Sequence, residues 1–136
     1  MTVMFVGTVA RLLVFGTLLA SGAAHLWRPA RFGIALAAQG IRSRAVRRAL
    51  LMAVIAGELA VGVAGLTAGA LAWPVELHVA TLAAMLLYAA YAHYLWGLMR
   101  RVPGAPCGCG LEAEPATSWT VARAAVLSLM SMLALL

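Results

Sequence analysis

The chain has 136 residues, 65% of them hydrophobic, and ten arginines against four glutamates give a formal charge of +6. Apolar residues make up about half of a soluble domain, so this excess excludes an ordinary globular enzyme. Arginines gathered at the ends of apolar runs exclude a nucleic-acid surface and point to orientation in a lipid bilayer. The implied fold is all-α: residues 1–136 form a single integral-membrane four-helix bundle of up-and-down topology.

Residues 3–26 form the first apolar run. At ~1.5 Å per residue it is long enough to cross a hydrocarbon core of about 30 Å. Ala20-Ser21-Gly22-Ala23-Ala24 would also suit a signal-peptide cleavage site, but the stretch before Arg11 lacks the basic start such a peptide needs. The segment is therefore read as a helix. The connection that follows holds Arg28, Arg31, Arg42, Arg44, Arg47 and Arg48, and within it Pro29 and Gly40 bracket a short amphipathic helix suited to the interface. A second span is expected over 49–71, where Gly57, Gly62, Gly65 and Gly69 allow a neighbouring helix close approach. Trp73-Pro74 makes a short turn into a third span over 75–99, whose Tyr88, Tyr91, Tyr94 and Trp96 read as an aromatic belt ahead of Arg100-Arg101. After a polar loop over 100–116, a fourth span occupies 117–136.

That loop holds the two cysteines of the chain, Cys107 and Cys109, separated by Gly108. Thiols at this spacing can exchange disulfides, bind a soft metal as thiolates, or stay reduced without a chemical role. A purely structural bridge is a poor reading, because joining residues two apart removes almost no chain entropy from the unfolded state. A labile, redox-active pair is a better one. Arg100 and Arg101 would favour the thiolate, whereas Glu112 and Glu114 oppose it.

Three charges fall inside the spans. Arg11 is expected about 12 Å from the N-terminal face, Glu58 near mid-membrane and Arg123 about 9 Å from the cysteine end. Each needs a partner or a wet cavity at that depth. Grouped, they would be either an ion pair fixing helix order or a polar pocket for a proton, a quinone headgroup or another small ligand. His25 and His93 belong to the cysteine end, where His93 or His25 would complete a metal site with Cys107 and Cys109; His78 belongs to the opposite end.

These residues give the chain a pattern that resembles the MauE branch of the DoxX-like small membrane proteins, the methylamine utilisation protein MauE family. Arg11 precedes LLASGAAHLW, Glu58 lies in AGELAVGVAGL, Pro106-Cys107-Gly108-Cys109-Gly110 follows the third span and Arg123 lies in SWTVARAAVL. No Phe follows the second cysteine, and Ala124 stands where the family pattern has Asn. The resemblance implies a redox-associated membrane protein that handles disulfides beside a thioredoxin-like or other cysteine-containing partner. Cys107 and Cys109 carry that role by motif, and Arg11, Glu58 and Arg123 by position.

Two functions follow as expectations. The first is thiol–disulfide exchange through Cys107 and Cys109, with a quinone as a candidate electron acceptor. The second is binding or transport of Cu, Hg or Zn at the same cysteines. Eight arginines on the two long connections place that end, by the positive-inside rule, on the cytoplasmic side of a bacterial inner membrane. Stable disulfides favour the other side, so orientation and redox chemistry pull in opposite directions.

Overall fold

The computed structural model describes residues 1–108 and 114–136. They form five helices: α1 Thr2–Trp27, α2 Pro29–Ala38, α3 Arg44–Ala70, α4 Pro74–Arg101 and α5 Ser118–Leu133. The short amphipathic helix expected between Pro29 and Gly40 forms as α2, so the described residues make five helices and not a plain set of four. Arg44, Arg47 and Arg48 belong to the first turns of α3 and not to a connecting loop.

The helix boundaries follow from local chemistry. Pro29 has no N–H to continue α1 and disfavours helical angles at Arg28, which ends α1 and starts α2. Gly40, at φ +93°, closes α2: its N–H donates to Ala37 O and that of Ile41 to Leu36 O, the paired bonds of a Schellman cap. Ala72 takes the equivalent left-handed position after α3 at φ +54°, with Trp73 N–H donating to Ala68 O and Pro74 opening α4. Ser43 caps α3 by accepting from Val46 N–H, and Thr117 and Thr120 form a reciprocal capping box on α5.

Helix α1 packs on α3 and α5, α4 packs on α3 and α5, and α2 lies against α3 and α1. The α1–α3 seam is closed by glycine. A Cβ on Gly62 would lie 2.7 Å from Leu19 Cγ, and one on Gly65 would overlap the Phe15 ring. Phe15, Val14 and Leu18 are fully buried there. Tyr88 Oη donates to Val14 O (2.8 Å) between α4 and α1, and Ser128 Oγ to Met85 O (3.0 Å) between α5 and α4.

Outward-facing positions remain apolar, with Phe5, Leu12, Val79, Leu86 and Leu129 all exposed. Met4–Trp27, Arg44–Ala70 and Pro74–Arg101 are long and apolar enough to cross a membrane. Helix α5, with 16 residues, spans ~24 Å at the usual rise, short of a full hydrocarbon core.

The segment between α4 and α5 is pinned. Pro106 and Pro115 form an antiparallel bridge, Cys107 N–H donates to Glu114 O (3.0 Å) and Ala116 N–H to Ala105 O (2.9 Å). Gly104 and Gly108 take positive φ of 79° and 71°, angles that side-chain-bearing residues rarely adopt. Cys109 and Glu112 lie outside the described residues.

Candidate functional site

Glu58 sits midway along α3 and is 1% exposed. A carboxylate at that depth needs donors, and three converge on it from two helices. Ser21 Oγ donates to Oε1 at 2.8 Å, Tyr91 Oη donates to the same oxygen at 3.0 Å, and His25 Nδ1 lies 3.0 Å from Oε2. Ser21 and His25 are four residues apart and so share one face of α1. Tyr91 reaches in from α4.

The other ring nitrogen of His25, Nε2, is 2.8 Å from the carbonyl oxygen of Gly108. A carbonyl only accepts, so Nε2 carries a hydrogen. Nδ1 and Oε2 then hold one proton between them, and His25 with Glu58 is neutral as a pair whichever atom keeps it. The imidazole is therefore a strut from the middle of the helices to the residue between the two cysteines. Phe32 of α2 meets the His25 ring edge-on with centroids 5.0 Å apart. Gln39, just past α2, adds a second tether: its Nε2 donates to Pro106 O at 2.8 Å, while its Oε1 accepts from Tyr94 Oη.

These groups wall a cavity of about 330 Å³ at the loop end of the helices. Its lining includes His25 and Glu58 together with Phe32, Tyr88, Tyr91, Cys107 and Arg123. Cys107 is buried, at 5% exposure. Arg123 forms no hydrogen bond or salt bridge among the described residues.

Four of the residues singled out from sequence thus meet at one site: Cys107, Glu58, Arg123 and His25. Cys109 lies outside the described residues. Arg11 goes elsewhere: its Nε donates to Ala134 O at 2.8 Å, at the far end of α5. It is ten residues before Ser21, about 15 Å along α1, so the expected grouping of Arg11 with Glu58 does not form. His25, and not an arginine, is the partner of Glu58. His93 is exposed and does not line the cavity.

Both nitrogens of His25 are engaged, and among the described residues no group of three or more His, Cys, Asp or Glu side chains is placed to hold a metal ion. The aromatic belt is also redistributed. Tyr88 and Tyr91 turn inward as donors, and Trp96 stays exposed beneath the Arg100 guanidinium, 5.8 Å from the ring centre.

Ser21, Tyr91 and Gln39 are site residues that sequence reasoning assigned to other roles or passed over. The one local signal for them is the spacing of Ser21 from His25, a polar pair at i, i+4 in the last third of a mainly apolar helix.

The family model described as methylamine utilisation protein MauE matches residues 3–136. No curated protein and no solved structure matches the chain.

Proposed function

Because the chain belongs to the methylamine utilisation protein MauE family, we propose that it is a membrane thiol–disulfide redox protein acting in methylamine utilisation, with Cys107 and Cys109 as its exchanging pair. The observation that carries this reading is the seating of Cys107. It is buried against a membrane-level cavity, and the carbonyl of the next residue is held by His25, itself anchored on Glu58.

In the proposed cycle the disulfide Cys107–Cys109 accepts electrons from a thioredoxin-like partner. A partner thiolate attacks one sulfur, the Cys107–Cys109 bond breaks and a mixed disulfide forms. The second partner thiolate then displaces the chain's sulfur, leaving an oxidised partner and two thiols on the chain, with both protons transferred. The burial of Cys107 favours it as the inner thiol of the pair. Helix α5 acts as a fourth crossing beside the three longer helices, completing a four-helix bundle in the bacterial inner membrane. The arginine count directs the loop end to the cytoplasm.

Alkylation of the purified full-length protein, with and without prior reduction and alongside metal analysis, tests the redox reading. Two thiols that become reactive only after reduction, in a metal-free protein, are the expected result. Stoichiometric Cu, Hg or Zn that disappears in Cys107→Ser would replace this reading with soft-metal binding. A membrane-impermeant thiol reagent applied to intact cells checks the orientation: no labelling is expected, and labelling after mild reduction would place the loop outside.

A further inference from the structure

The cavity beside Cys107 has no role yet in partner exchange. Its volume of about 330 Å³ is in the range of small-ligand sites, which run from roughly 300 to 1,000 Å³. Its wall is mainly aliphatic and aromatic, with Phe32, Tyr88 and Tyr91 contributing rings from α2 and α4. The polar demand inside it is unevenly met. Glu58 already has three hydrogen-bonding neighbours, whereas Arg123, about 9 Å into the helical region from Thr117, lines the cavity while partly open to the outside and forms no hydrogen bond or salt bridge among the described residues. A guanidinium at membrane depth needs an oxygen acceptor.

We propose that the cavity binds a lipid-soluble quinone, its ring among Phe32, Tyr88 and Tyr91 beside Cys107 and one carbonyl oxygen accepting from Arg123. The ligand class follows from the chemistry. An apolar cavity in a membrane protein selects a lipid-soluble body, and the Arg123 guanidinium, which lines it without a hydrogen-bond partner among the described residues, selects an oxygen acceptor. Cys107 in the wall, with Cys109 two residues on in the sequence, calls for a carrier of two electrons and two protons. The step balances: the Cys107 and Cys109 thiols lose two electrons and two protons to form a disulfide, and the quinone takes up both of each to become a quinol. This inference rests on the redox reading for its electron transfer, but the binding site stands on the cavity and Arg123 alone.

The test uses the purified full-length protein in detergent and a short-chain benzoquinone, with binding read from quenching of intrinsic fluorescence. Saturable binding is expected in the wild type. Arg123→Gln should weaken it roughly tenfold or more, the scale of a lost hydrogen bond from a charged donor, and Arg123→Lys should recover part of the loss. Leu127→Phe, which adds bulk to the α5 wall, should also weaken binding, and Arg11→Gln at the other end should leave it unchanged.

Palmitate is the competing probe, because a lipid carboxylate offers Arg123 the same oxygen chemistry. Palmitate binding as tightly as the quinone would overturn the assignment, as would quinone binding insensitive to Arg123→Gln in a protein that remains folded by size-exclusion. Reduced wild-type protein should convert the quinone to quinol with loss of both thiols. Binding without quinol formation would remove the electron-acceptor role and leave partner exchange to be judged by the alkylation test, so the two readings fail separately.

Discussion

The two ends of the helix assembly treat charge within the helices in opposite ways. At the end away from the cysteine loop, Arg11 is spent on the backbone: its Nε donates to Ala134 O, where the C-terminus of α5 presents carbonyls and the negative end of the helix dipole. Nearby, Phe15 is driven against Gly65 and the helices touch. At the loop end the charges do not close the structure; Glu58, His25 and Arg123 surround open space. One end consolidates the fold, and the other keeps a cavity next to a cysteine.

This contrast can be broken most severely at Glu58. Replacing it with Ala removes the acceptor shared by Ser21, Tyr91 and His25 while leaving His25 buried and the other two half-buried. The expected loss of stability is about 3–5 kcal/mol, the usual cost of deleting one partner of a buried pair, read as a lowered unfolding midpoint in detergent. Glu58→Gln, which keeps one acceptor oxygen, should lose less. If the alanine variant proves as stable as the wild type, the site is wetter than its geometry suggests.

Gly65→Val attacks the packed end. The added side chain meets the Phe15 ring, and overpacking of this kind costs about 1–3 kcal/mol. Unfolding midpoints should fall while quinone affinity per folded molecule stays level. A matching fall in affinity would mean that the two ends are coupled.

The smallest effect is expected at Gln39. Its removal in Gln39→Ala takes away one bond to the Pro106 carbonyl, worth about 1 kcal/mol. The readout is faster alkylation of Cys107 after reduction with little change in global stability. An unchanged alkylation rate would mean that His25 alone holds the loop.

Much of this was legible in the chain itself. Long apolar runs, Pro29, Gly40 and Pro74 marked the helices and their breaks, because length, missing N–H groups and glycine torsions act locally. Cys107 and Cys109 were conspicuous as a pair, and Glu58 and Arg123 as charges where charges are costly. The fate of Tyr91 was not legible: an aromatic near a helix end suits an interfacial belt as well as it suits a donor to Glu58.

Sequence alone therefore determined the helices, their order and the position of the thiols. Only the tertiary structure decided the pairings, that Glu58 takes His25 and not Arg11, that Arg11 caps α5, and that His93 stays outside the cavity. The physical reason lies in the helices themselves. When nearly every face is apolar, composition leaves rotation about the helix axis undetermined, and rotation decides which side chains meet. That choice is made by close packing at Gly62 and Gly65 and by the need of each buried polar group for a partner.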